Sequence, residues 1–310
     1  MADIPDFRVA CDAWIDFDLD RERACVVDKL ILQHGLRAGI EHVFLTSRKF
    51  TPQKSLQRTR QLFSGIEKCE SHLGQWLAPY AGAGTLEIGC GPGQLLSAAA
   101  RRGACIAGVD VSLEWLVVSK HMIAANGGEA LLAAGLAEVL PVRSGAMQSV
   151  VSLDVLEHVG EQAGFVRELS RVLAPGGKFA LSMPNRFSLS PEPHVGVWGV
   201  GYLPVSLQAA WVRLVSGQEY AYIRLLSRSE VLRLFEPDGN IEASVEFPPI
   251  ALEEIELFSR GKARIANLYN RLIKNWAFQQ VLPLVGAYYR VLGSKAESRP
   301  LNRSRGESAS

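Results

Sequence analysis

From Thr85 onward, short apolar runs alternate with stretches of helical spacing, the pattern of βα units that feed a mainly parallel sheet. Strands are expected at 85–88, 105–109, 130–134, 149–153, 178–183 and 241–247, with helices at 94–102, 113–126, 165–173 and 229–235. Gly127 and Gly128 end the second of these helices, and Pro175-Gly176-Gly177 turns the chain into the fifth strand. Right-handed crossovers then place helices on both faces of the sheet. Ahead of this block, Leu56, Leu62, Phe63, Ile66, Leu73 and Leu77 recur at helical intervals, with Thr51 as N-cap and Pro52 in the first turn.

The same pattern divides the chain. Residues 1–77 read as a helical N-terminal region, and 78–250 as the α/β domain. Regularity lapses over 184–226, an insertion after the fifth strand. Residues 251–293 read as a basic, apolar helical region, and 294–310, rich in Ser and Arg, as a disordered tail. Residues 195–212 carry no charge, but Gly196, Gly199, Gly201, Pro204, Ser206 and Gln208 argue for a lid or surface-lying segment rather than a membrane span.

Composition narrows the partners. Thirty-three basic residues face 32 acidic ones, so no overall field favours nucleic acid, and 48% hydrophobic residues suit a folded core. Cys11, Cys25, Cys69, Cys90 and Cys105 form no CxxC pair and no zinc-ligand spacing. Together with an N-terminus that lacks a secretory pattern, they point to reduced thiols and a cytoplasmic protein with no structural metal.

The chemistry concentrates after the first strand. In LEIGCGPGQLL, Gly89, Gly91 and Gly93 sit between strand and helix, where glycine allows a tight turn and close ligand approach to a helix N-terminus. A dinucleotide site wants glycine three residues after Gly91. Gln94 stands there and weakens a nicotinamide-dependent oxidoreductase reading. Asp110 ends the second strand, where a carboxylate accepts from ribose hydroxyls, and Glu87 lies inside the first strand, where a charge needs a cationic partner. A ribose, an ammonium and a sulfonium without phosphate describe S-adenosylmethionine.

LEIGCGPG, GVDVS at 108–112, GLAEVLPV at 135–142, SLDVLEHV at 152–159 and RVLAPGGKFALSMPN at 171–185 together resemble the successive motifs of class I S-adenosylmethionine-dependent methyltransferases. The resemblance is to the broad group that includes ubiquinone-biosynthesis enzymes, and it spans roughly residues 60–245. It implies an α/β, Rossmann-like sheet of seven strands with the last antiparallel. It also implies a methionine-end site at Glu87, Gly89, Gly91 and Gly93, with the ribose at Asp110. Val111, Leu136, Ala137 and Asp154 complete the expected cofactor set. Relatives commonly read Gly-Asp-Ala-Glu where this chain has Gly135-Leu136-Ala137-Glu138, so adenine recognition here leans on backbone and packing, at about 1 kcal/mol.

His158, at the carboxyl end of the fourth strand, and His194, in the insertion, are the candidate bases for an acceptor that carries a proton. Trp198, Tyr202 and Trp211 are candidates for an apolar pocket or for packing the insertion onto the core. Between Leu257 and Lys295 there is no acidic residue, while Arg260, Lys262, Arg264, Arg271, Lys274, Arg290 and Lys295 are basic. A small-molecule or lipid-linked acceptor is therefore expected, with peripheral contact to an anionic membrane as one outcome and a packed helix with a solvated basic face as the other. A non-catalytic protein that keeps the cofactor fold is the remaining alternative.

Overall fold

The computed structural model describes residues 4–9, 15–47, 52–250, 255 and 260–297. Thr51 and its cap, Cys11 and most of the Ser/Arg tail lie outside them. The N-terminal region holds helices α1 (Phe17–His34), α2 (Leu36–Thr46) and α3 (Pro52–Gly74). The α/β block follows as β1 (Thr85–Ile88), α4 (Gln94–Arg101), β2 (Ala107–Asp110), α5 (Leu113–Ala125), β3 (Leu132–Ala134), β4 (Met147–Leu153), α6 (Gln162–Val172) and β5 (Leu173–Pro184). The insertion carries α7 (Val205–Ser216), after which come α8 (Arg228–Phe235) and β6 (Ile241–Glu246). Helices α9 (Arg260–Leu272) and α10 (Trp276–Val285) then lead to β7 (Tyr288–Lys295).

Seven strands lie in the order β3-β2-β1-β4-β5-β7-β6. Strands β1 to β5 run parallel, and β7 is antiparallel to both neighbours, β5 and β6. One core packs α1 to α5 on one face through Val27, Ile40, Ile66, Leu96 and Met122. A second packs α6 and α8 on the other face through Phe165, Leu169, Val231 and Phe235. Two-sided cover explains why the central strands read as unbroken apolar runs.

The C-terminal segment is not helical throughout, as its sequence suggested. Its last residues form β7, which extends past 293 into the stretch read as tail. The strand sits between β5 and β6, so Tyr289 and Val291 bury into one core while Leu292 packs against the other. The uncharged run from Val281 continues from α10 into β7, so nothing in it marks where the helix ends and the strand begins. The N-terminal region also departs from all-helical character. Asp6 pairs with Ala134, with Phe7 N–H donating to Ala134 O (2.8 Å) and Ala134 N–H to Pro5 O (2.9 Å), so the first residues extend the sheet beyond β3.

The ends of the insertion meet. Asn185 and Leu226 form a bridge, and Val197, Val200, Val212 and Tyr220 make a small core of their own between these ends. The strand order reverses between β2-β1 and β4-β5, so a crevice opens beyond the carboxyl ends of β1 and β4.

Candidate active site

On the β1 side, Gly89, Gly91 and Gly93 have φ of 72°, 48° and 77°, the left-handed region that favours glycine. A Cβ on Gly89 would lie 2.3 Å from Val155 Cγ2, and one on Gly93 2.2 Å from Ser119 Oγ. A Cβ on Gly91 meets nothing within 4 Å. Two of the glycines are thus required by packing, while the middle one faces open space at the amino end of α4.

Asp110 braces this turn. Its Oδ2 accepts from the N–H of Gly91 (2.7 Å) and its Oδ1 from the N–H of Ser112 (2.8 Å). Burial pushes its carboxyl up, and those backbone donors pull it back. Glu87, only 4% exposed, is different. Its Oε2 has no hydrogen-bond partner, and burial followed by the charge of Asp110 pushes its carboxyl well above the usual range. A buried carboxyl oxygen without a donor fits a site whose cation arrives with a ligand. Val111 follows directly. Leu136 and Ala137, half-buried beyond β3, are held nearby because Gly135 N–H donates to Asp110 O (3.0 Å).

Beyond β4, Asp154 adopts φ 57°, unusual for a residue with a side chain, and accepts from Ser182 Oγ on β5 (3.1 Å). A short 3-10 turn, Leu156–His158, then presents His158 to the insertion. His158 Nε2 and His194 Nε2 face each other at 3.1 Å, and His194 Nδ1 lies 2.5 Å from Glu192 Oε1. The buried Glu192 also accepts from the N–H groups of His194 and Val195. Glu157, buried beneath them, finds no hydrogen-bond partner for either oxygen. Burial, then the charges of Asp154 and Glu192, push it up to about 8. Glu157, His158 and His194 bring donor atoms within 4.8 Å of one another, a set able to hold a divalent cation.

The structure thus brings His158 and His194 together and gathers the glycines with Glu87, Asp110 and Val111. Trp198, Tyr202 and Trp211 do not line a closed pocket. They lie exposed on the insertion, where Trp211 Nε1 donates to Trp198 O (3.0 Å) and Tyr202 OH to Phe187 O (2.6 Å) and Leu284 O (2.8 Å). Two contributors escaped the sequence reading. Glu192 has no signal of its own in the sequence beyond the histidine two residues on. Gln94 had counted only as a missing glycine, yet its Nε2 donates to Leu62 O in α3 (2.8 Å), tying the glycine turn to the helical region. Gly65 leaves room for it: a Cβ there would lie 1.7 Å from that nitrogen.

Residues 86–181 match the methyltransferase domain family. The matched segment runs from β1 to β5 and so contains the glycine turn, Asp110 and the Asp154–His158 stretch. Outside the matched segment lie His194, Glu192 and the N-terminal helices. Over 154 residues the chain is 31% identical to a ubiquinone biosynthesis O-methyltransferase of Idiomarina loihiensis, covering 49% of this chain and 59% of that one. Over 114 residues it is 39% identical to a probable S-adenosylmethionine-dependent methyltransferase of Mycolicibacterium smegmatis, covering 36% of this chain and 42% of that one. The chain spans about half the length of the curated relatives it matches. Among solved structures, it overlays with phosphoethanolamine N-methyltransferase 2 of Haemonchus contortus in complex with S-adenosyl-L-methionine at a TM-score of 0.48 and 20% identity, covering 74% of this chain and 52% of that one.

Proposed function

We propose that this chain is an S-adenosylmethionine-dependent methyltransferase acting on a hydroxyl of a small or lipid-linked acceptor. The observation that carries the cofactor reading is the unpartnered carboxyl of Glu87 beneath a glycine turn with open space at Gly91. The ammonium of the cofactor supplies the missing partner. Asp110 keeps lone pairs for the ribose hydroxyls because each oxygen accepts one backbone N–H, and Val111, Leu136 and Ala137 offer packing for the adenine. When bound, the cofactor supplies a methyl group on a sulfonium, a carbon already activated toward displacement.

The protein's part is orientation and proton transfer. His158 takes the acceptor's hydroxyl proton as the O–C bond forms and the S–C bond breaks. His194, held by Glu192, shares the resulting positive charge. The choice of an oxygen acceptor draws support from this base and from the name borne by the Idiomarina loihiensis relative.

The lipid-linked form of the acceptor draws support from the C-terminal helices. Along α9, Ile265 is 70% exposed and shares the helix with Arg260, Lys262, Arg264 and Arg271, and Trp276 at the start of α10 is 76% exposed. Ile265, Leu268 and Trp276 are therefore not spent on core packing, although Ile273 and Leu282 are, and cations stand beside the exposed groups, the mixture that suits an anionic membrane surface. No helix among the described residues is long and apolar enough to cross a membrane.

The test is transfer of label from methyl-labelled S-adenosylmethionine into a lipid extract and into an aqueous cell extract. Label in product with wild-type protein and about 10²-fold slower labelling with His158→Ala supports the reading. No label in either extract contradicts it, and label confined to the aqueous extract removes the lipid-linked form.

A further inference from the structure

The N-terminal arm reaches the two loops that the proposed function assigns to the ribose and adenine. Arg8 is a buried cation whose side chain is 1% exposed. It donates from Nη1 to Asp20 Oδ2 (2.6 Å) and to Val111 O (3.1 Å), and from Nε and Nη2 to the two oxygens of Asp6 (2.9 and 2.7 Å). Its guanidinium also lies 4.6 Å from the centre of the Phe17 ring.

Asp20 passes this contact on. From α1, its Oδ2 accepts from Leu113 N–H (2.8 Å) and its Oδ1 from Ser112 Oγ (3.1 Å), at the amino end of α5. Ser112 is the residue whose N–H orients Asp110, and Val111 stands between the two. On the other side of Asp110, residues 5–7 pair with Ala134 immediately before Gly135-Leu136-Ala137. One short arm therefore grips both loops that flank Asp110, by a buried ion pair on one and by main-chain bonds on the other. A buried arginine between two carboxylates is a costly way to tether an extended segment, and four of its five N–H donors are used, two of them as a planar fork on Asp6.

We propose that Arg8 is a positioning residue for the cofactor site, holding the Val111 carbonyl and, through Asp20, the start of α5 so that Asp110 is preset for the ribose. The inference rests on the cofactor reading given above. Cofactor binding and closure of the arm are coupled, because both loops must be in place for either.

Calorimetric titration of S-adenosylmethionine into wild-type, Arg8→Gln, Arg8→Lys and Arg21→Gln proteins tests it, with circular dichroism checking the fold. Arg8→Gln weakens binding about tenfold or more. Arg8→Lys falls between it and wild type, since an ammonium keeps the charge but not the fork. Arg21→Gln, an exposed group that among the described residues pairs with Asp6 and Asp18, binds like wild type. As a second readout on the unmutated chain, amide exchange at Phe7 and Ala134 slows when the cofactor is added. Wild-type binding with unchanged affinity in folded Arg8→Gln, or unchanged exchange at both amides, overturns the positioning role alone. A wild-type protein that binds no S-adenosylmethionine overturns the cofactor reading and this inference with it. Should Arg8→Gln fail to fold, the Arg8→Lys affinity and the exchange rates decide.

Discussion

Beyond β1 and β2, polar side chains are held by nearby backbone: Asp110 takes the N–H of Ser112, two residues on, and the N–H of Gly91 in the adjacent turn. Beyond β4, His158 depends on His194, 36 residues along, and His194 in turn on Glu192 in the same insertion. The first region is shaped by strand-to-helix turns whose geometry the local sequence imposes. The second exists only when a separately packed insertion closes against a 3-10 turn. The first suits a cofactor common to many reactions, and the second suits an acceptor that distinguishes one reaction from another.

The largest effect is expected where the two regions touch. Gly89 belongs to the cofactor turn, yet the neighbour its Cβ would strike is Val155, in the turn that leads to His158. Gly89→Ala combines an overpacked contact with a left-handed backbone, so destabilisation of about 3 kcal/mol is expected, with losses in both cofactor affinity and turnover. Urea unfolding together with cofactor titration checks it. A Gly89→Ala protein with wild-type stability shows that the two regions are not in contact as described.

His158→Ala separates the regions. Turnover is expected to fall about 10²-fold, close to 2.7 kcal/mol in barrier, while the dissociation constant for S-adenosylmethionine stays within twofold of wild type. Steady-state kinetics and calorimetry on one preparation give both numbers. Equal losses in affinity and turnover place His158 in the cofactor region instead, and unchanged turnover leaves positioning alone as the source of rate.

A smaller effect reads out the electrostatics of the acceptor region. Glu157 is pushed up to about 8 from an ordinary value of 4.5. Between those values the folded chain keeps a proton that the unfolded chain releases, so the unfolded state binds fewer protons and stability declines as pH rises. The contribution is full below about 4.5 and gone above about 8. In Glu157→Gln this slope disappears, leaving the variant about 3–4 kcal/mol more stable than wild type at pH 8.5 relative to their difference at pH 5. Thermal melts across that range measure it. Parallel curves for the two proteins show that Glu157 ionises normally, through a partner or a bound cation.

The difference between the regions also explains what the sequence disclosed. Gly89, Gly91, Gly93 and Asp110 were readable because glycine and a strand-end carboxylate carry their chemistry within one turn. The paired histidines were individually visible but not their contact, since nothing in a linear pattern tells how an insertion folds back. Strand β7 was hidden for a related reason: it inserts between β5 and β6 after two helices, so its partners in β5 lie more than 100 residues back, with Lys178 opposite Ser294. Arg8 and Asp20 gave no signal at all, because an ion pair buried by packing of distant segments looks in sequence like two ordinary surface charges.

The measurement that bears most directly on the central claim is a calorimetric titration of S-adenosylmethionine into wild-type and Asp110→Ala proteins, with NADH as the competing ligand. The account predicts one site per chain in the wild type, no binding of NADH, and a loss of about 1.5–3 kcal/mol in folded Asp110→Ala, the scale of hydrogen bonds to a charged group. NADH binding without S-adenosylmethionine binding, or equal affinity in the two proteins, contradicts it.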